Sequence, residues 1–153
     1  MKYTVLLIFF AITSLFGEDI KISADKFQAD EINKISLFEG NVKITKGKDK
    51  IEAQKLTIIF DAKNKPIKYS AEGKPNFVFF IKDKHYKGKA DKIIYTPVER
   101  KYLLLGNVFV HEIKEDRKIY GDKLTIDKAN GRIVIIGKKN QPVKFIFKVE
   151  EKK

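Results

Sequence analysis

Gly40-Asn41-Val42-Lys43-Ile44 returns as Gly73-Lys74-Pro75-Asn76-Phe77, then as Gly106-Asn107-Val108-Phe109-Val110, and in reduced form as Gly137-Lys138-Lys139. The steps, 40 to 73, 73 to 106 and 106 to 137, are 33, 33 and 31 residues. A second phrase runs between them: Ala24-Asp25-Lys26-Phe27, Ala53-Gln54-Lys55-Leu56, Ala90-Asp91-Lys92-Ile93 and Gly121-Asp122-Lys123-Leu124. A fixed period of this size marks stacked copies of one supersecondary unit. A single unit cannot bury its own apolar face, so neighbouring units must cover one another.

Around the phrases the chain reads as strand throughout. Ile, Val, Phe, Tyr and Thr alternate with polar residues, and three-four helical spacing is nearly absent. Phe38, Val42 and Ile44 share one parity, as do Leu56, Ile58 and Phe60, and Leu104, Val108 and Val110. Ten strands are expected, over 24–31, 35–46, 50–61, 66–72, 76–82, 85–96, 101–113, 117–127, 132–137 and 142–148. Two kinds of turn separate them. Asn33-Lys34, Asn64-Lys65-Pro66, Pro97-Val98-Glu99-Arg100 and Asn130-Gly131 form one kind; Lys46-Gly47-Lys48-Asp49, Lys82-Asp83-Lys84 and Glu115-Asp116 form a charged second kind. Asn and Gly suit such turns because they accept positive φ cheaply. A glycine inside a strand marks a bulge or bend, so the repeated glycines predict hairpins that all turn one corner. Asp25, Asp91 and Asp122, each beside a lysine, are expected to form a structural ladder of cross-strand charge pairs. Phe77-Val78-Phe79-Phe80-Ile81 and Tyr102-Leu103-Leu104-Leu105 are apolar on both parities, so both faces there are expected to need cover.

At 153 residues the chain is sized for one domain. Residues 1–17 read as a secretory signal: Lys2, an apolar run from Val5 to Phe16, and a small Gly17 before Glu18-Asp19. The run is short of the ~20 residues a spanning helix needs. A β domain over 18–149 and a frayed tail over 150–153 follow. With no cysteine, neither a disulfide nor a thiolate metal site is available. A net charge of +12 favours anionic partners, although acids are interleaved, as in Glu112-Ile113-Lys114-Glu115-Asp116-Arg117. His85 and His111 sit in no metal or base motif, and no nucleophile elbow or phosphate loop is present. An enzyme, a cofactor, a metal and a catalytic residue are therefore not expected. The 18 aromatic residues (12 Phe, 6 Tyr) in a basic chain fit a single-strand platform, but they fall mainly on the inward parity and no RNP-like sequence occurs; nucleic acid is not an expected partner.

Phe38-Glu39-Gly40-Asn41-Val42-Lys43-Ile44-Thr45-Lys46-Gly47, Glu72-Gly73-Lys74-Pro75-Asn76-Phe77, Leu105-Gly106-Asn107-Val108-Phe109-Val110 and Tyr120-Gly121-Asp122-Lys123-Leu124-Thr125 together resemble the OstA-like repeats of the LptA family. The likeness spans roughly residues 22–147. It implies an all-β, open-ended, twisted β-jellyroll of repeated antiparallel hairpins in the periplasm. It further implies an apolar interior that carries the acyl chains of lipopolysaccharide, with basic charge near lipid A phosphates. The implied partners are an LptC-like inner-membrane jellyroll subunit, an LptD-like outer-membrane translocon and further copies joined end to end. The work done would be lipid transfer, not bond chemistry. The inward parity supplies the candidate lipid contacts: Phe38, Val42, Ile44, Leu56, Ile58, Phe77, Phe79, Ile93, Tyr95, Leu104, Val108, Val110, Leu124 and Ile126. Two alternatives stay open: a membrane-anchored LptC-like subunit, and a periplasmic β-scaffold that binds protein edges without lipid.

Overall fold

Strand propensity and the two phrases resolve into twelve strands in a computed structural model that describes residues 19–150. The expected signal segment and residues 151–153 of the expected tail lie outside the described residues. The strands are β1 (Ile20–Ser23), β2 (Lys26–Asp30), β3 (Ile35–Lys46), β4 (Asp49–Phe60), β5 (Pro66–Glu72), β6 (Asn76–Ile81), β7 (Lys84–Lys89), β8 (Lys92–Thr96), β9 (Lys101–Glu112), β10 (Arg117–Asp127), β11 (Arg132–Ile136) and β12 (Lys144–Ile146). Every pairing is antiparallel.

The sheet is folded over on itself. β3, β4, β9 and β10 are long enough to belong to two layers at once. One layer runs β2-β3-β4-β5-β8-β9-β10-β11, and the other runs β1-β3-β4-β6-β7-β9-β10-β12. The chain therefore makes eight bent rungs in sequence order, each crossing the fold line once: β1–β2, β3, β4, β5–β6, β7–β8, β9, β10 and β11–β12. The repeat of 33 residues is two rungs, one out and one back.

Each phrase belongs to one crossing direction. The rungs β3, β5–β6 and β9 pass from the first layer to the second through Gly40-Asn41, Gly73-Lys74 and Gly106-Asn107. Both residues of each pair take positive φ: 81° and 47°, 83° and 52°, 78° and 47°. Two such residues in succession redirect the strand sharply, and glycine is the residue that reaches φ near 80° without strain. In β3 and β9 the pair opposes a single residue of the next rung, so the corner is a β-bulge. The returning rungs cross at Ala24-Asp25, Ala53-Gln54, Ala90-Asp91 and Gly121-Asp122. Ala53 and Ala90 are buried there, where converging layers leave room only for small side chains.

These crossings correct the expected strand list. The stretch 24–31 is preceded by an unforeseen β1 and interrupted at Ala24-Asp25; 85–96 divides at Ala90-Asp91 into β7 and β8; 142–148 contracts to β12. The charge ladder expected at Asp25, Asp91 and Asp122 is overturned at the first two. Asn41 Nδ2 donates to Asp25 Oδ2 at 2.9 Å and Asn107 Nδ2 donates to Asp91 Oδ2 at 2.9 Å. The backbone N–H of Asp25 donates to Gly40 O, and that of Asp91 to Gly106 O, each at 2.9 Å. Asp122 does form a charge pair, with Lys138 of the next rung at 3.5 Å. The second phrase is thus the counterpart of the first on the adjacent rung. The aspartate that ends one crossing clasps the residue after glycine in the next.

The two kinds of turn also sort by layer. The Asn- and Pro-containing turns sit at the free rim of the first layer, and the charged turns at the free rim of the second. Asp30, Asp61 and Asp127 cap the first kind. Asp30 accepts from the Asn33 backbone at 2.9 Å, Asp61 from Lys65 at 3.0 Å and Asp127 from Asn130 at 3.2 Å.

Candidate functional site

Parity places the candidate residues. Because successive strand side chains alternate faces, one set from every rung points between the layers. All fourteen expected inward residues lie there: twelve are buried, while Phe38 and Ile44 are half-buried against them. Phe79, Leu56 and Leu104 are fully enclosed. The structure adds Ile51, Ala53, Tyr69, Ala71, Ala90 and Tyr102 to the same cluster. Alternation along Tyr69 and Ala71 already carried that signal. At Tyr102 it was masked by the leucines that follow.

An aromatic run ties the layers together. Phe77 stacks on Phe79 at 4.5 Å between ring centroids, and Phe79 meets Tyr102 of the opposite layer at 4.5 Å. Tyr102 meets Tyr95 at 4.6 Å and Tyr95 meets Tyr69 at 5.9 Å. Burial pushes the phenols of Tyr69 and Tyr102 well above the ordinary value of 10.0, and the charge of Asp49 adds to the rise at Tyr102. A recess of about 40 Å³ inside is bordered by Ile20, Ile44, Leu56, Tyr69, Tyr95 and Tyr102. A recess of that size is too small for an acyl chain.

The rim opposite the corner is closed by side chains rather than backbone. The buried carboxylate of Asp49, in the second layer, accepts the Phe80 N–H at 2.9 Å and the ammonium of Lys128 from the first layer. Lys128 also lies 5.6 Å from the centre of the Tyr102 ring. Lys46, at the rim of the second layer, donates to Tyr95 Oη at 3.2 Å.

The two ends of the stack differ from the middle. β1 and β2 at one end, β11 and β12 at the other, each have one edge unpaired among the described residues. The last rung exposes Ile133, Val134, Ile136, Phe145, Ile146 and Phe147, which come from both parities. The doubly apolar stretches of the interior are treated otherwise. Phe80, on the outer face, stacks on His85 at 4.5 Å, and Lys48 reaches over its ring. Local side chains cover what the sequence left to a partner.

Residues 21–132, which contain the Gly-Asn clasps and the first seven rungs, match the family described as LptA/(LptD N-terminal domain) LPS transport protein. The chain belongs to this family. It is a family of transport proteins rather than enzymes. The chain is 29% identical over 120 residues to the lipopolysaccharide export system protein LptA of Escherichia coli K12, and equally to that of Shigella flexneri. Those alignments cover 76% of this chain and 63% of the relative, so the chain spans less than two thirds of the curated relatives' length. The crystal structure of LptH, the LptA homologous periplasmic component of the lipopolysaccharide transport device from Pseudomonas aeruginosa, superposes with a TM-score of 0.75. It covers 86% of this chain and 96% of LptH at 14% identity, a likeness of fold. The expected all-β, open-ended LptA-like jellyroll is the fold observed.

Proposed function

We propose that this protein is a periplasmic carrier that holds the acyl chains of lipopolysaccharide between its two layers and passes the lipid toward the outer membrane. The observation that carries the reading is the inward apolar face, which continues through all eight rungs and ends at unpaired strands. Each methylene withdrawn from water contributes about 0.8 kcal/mol, so even part of an acyl chain repays the parting of the layers. The chain enters along the rim, where Asp49–Lys128 and Lys46–Tyr95 are the only hydrogen-bonded links between layers among the described residues. Phe38, Val42, Ile44, Leu56, Ile58, Phe77, Phe79, Ile93, Tyr95, Leu104, Val108, Val110, Leu124 and Ile126 form the lining. Unpaired edges recruit further strands, and the apolar last rung favours a jellyroll partner: a second copy, an LptC-like subunit or an LptD-like translocon. Residues 1–17 direct export and are removed.

Site-specific photo-crosslinkers test the reading. Probes at Phe79 and Val110 should capture lipopolysaccharide, whereas a probe at the outward Lys43 should not. Capture at Lys43 alone, or nowhere, would return the protein to a scaffold that binds edges without lipid.

A further inference from the structure

A second concave surface lies outside the slot. On the outer face of the second layer, a trough of about 930 Å³ runs between β7, β9, β10 and the segment leading into β12. That is the size range of small-molecule sites. Its floor is a cross-strand row set by register. Lys89 pairs with Phe109, Phe109 with Tyr120, and Tyr120 with Lys144. The Phe109 and Tyr120 rings lie 4.9 Å apart, tilted by 42°. Lys87 stands in the adjacent row opposite His111, and Gln141 lines the far wall.

The electrostatics are one-sided. Lys87, Lys89 and Lys144 take part in no ion pair among the described residues. Of the nearby acids, Asp122 meets Lys138 and Asp116 meets His111 and Lys148, while Glu52 stands one strand beyond the lining residue Asn76 in the row that leads to Lys89. Lys144 leans over Tyr120 at 5.7 Å. An aromatic floor bounded by free ammonium groups and an amide suits a ring with an apolar C–H face, hydroxyls and anionic substituents. It differs from the lining of the slot, where the phenols of Tyr69, Tyr95 and Tyr102 and the rim groups Lys46, Asp49 and Lys128 interrupt a mainly hydrocarbon surface.

We infer that this trough is a binding site for a phosphorylated saccharide, the class of headgroup that lipopolysaccharide carries. The identity of the saccharide rests on the proposed carrier function; the anionic-sugar chemistry rests on the trough. Phe109 and Tyr120 stack on a sugar ring, Lys89 and Lys144 take phosphates at opposite ends of the row, and Lys87 widens the anion field. Because these groups are exposed, binding weakens as salt rises.

Calorimetric titration with fully deacylated, phosphate-bearing lipopolysaccharide saccharide tests the site. Wild type should bind it. K87E/K89E should lose about tenfold or more in affinity, because each reversal sets like charge against the phosphate, and Tyr120→Ala should lose affinity without any charge change. Circular dichroism and thermal midpoint establish that both variants fold, with Lys87→Gln as the milder substitute where K87E/K89E does not. Equal binding of the dephosphorylated saccharide would overturn the role of the anions. Inorganic phosphate binding as tightly as the saccharide would overturn the role of the sugar. No binding by wild type would overturn the site itself. Capture of intact lipid by the Phe79 probe, measured in the same variants, keeps the two readings apart. Capture without saccharide binding defeats the trough and spares the slot; saccharide binding without capture does the reverse.

Discussion

The corner and the rim of the folded sheet hold the same two layers together by different means. At the corner the connection is covalent. Strands cross it eight times, and clasps such as Asp25–Asn41 and Asp91–Asn107 fix the angle. At the rim the connection is a pair of side-chain contacts, Asp49–Lys128 and Lys46–Tyr95. One side cannot open without unfolding, and the other is held only by side chains: these contacts and the packing of rings such as Phe79 on Tyr102. A folded sheet of this kind is a hinge with a fastening, and the slot between them is apolar.

Four perturbations would break or sharpen that contrast. The largest effect should come from Gly106→Val. Its φ is 78°, and a Cβ there would lie 2.5 Å from Asp91 Oδ2. The left-handed conformation costs about 1–2 kcal/mol and the displaced Asp91–Asn107 clasp about 1 kcal/mol more. A loss of about 2–3 kcal/mol should appear in the urea midpoint; an unchanged midpoint would mean the corner is not rigid. Lys128→Met comes next. Breaking a buried pair costs about 3–5 kcal/mol, but Lys128 is partly exposed and Asp49 keeps the Phe80 N–H, so about 1–2 kcal/mol is expected. Its distinguishing result is faster lipid capture at Phe79, which Gly106→Val should not produce. Slower capture would place entry elsewhere.

Alkali should act on the interior. Tyr69 and Tyr102 are held protonated above their ordinary value of 10.0. Above that pH the unfolded state releases protons that the folded state retains, so stability is full below pH 10 and falls as pH rises past it. A flat stability profile between pH 10 and 12 would contradict a water-free interior around these rings. Acid should act least, and at the rim turns. Backbone hydrogen bonds from Asn33 and Lys65 hold the Asp30 and Asp61 carboxyls below 3.8; those from Asn130 do the same at Asp127 against a larger desolvation. Their contribution is present above about pH 3.8 and is lost as pH falls through the lowered values. Amide exchange at Asn33, Lys65 and Asn130 should quicken there before the strands melt. Simultaneous melting would assign the turns no independent role.

Much of this was legible in the chain because the repeat is nearly regular. Parity sent every candidate from Phe38 to Ile126 to the inside, and the glycines marked the corner. What was hidden is what crosses the corner. Asp25 and Asn41 are sixteen residues apart, a spacing that neither strand alternation nor adjacent-residue charge pairing reveals, so Asp25-Lys26 looked like part of a ladder. The breaks at Ala24-Asp25 and Ala90-Asp91 carry no glycine or proline, so 85–96 looked like one strand. At the other end, Val143 to Phe147 is apolar enough to read as a long strand, yet only Lys144 to Ile146 pairs with β10. The fastening at Asp49–Lys128 joins residues 79 positions apart and depends on the fold being complete.

The order of the rungs has a consequence for motion. Eight rungs spaced ~4.8 Å apart place the end rungs about 34 Å from each other, and the slot runs across the strands rather than along them. On the proposed carrier function, an acyl chain sliding in it would pass mainly aliphatic side chains at both ends and the cluster of Tyr69, Phe77, Phe79, Tyr95 and Tyr102 in the middle rungs. A lining that is aliphatic at both ends favours neither direction, so any net drift of such a lipid would be imposed at the ends.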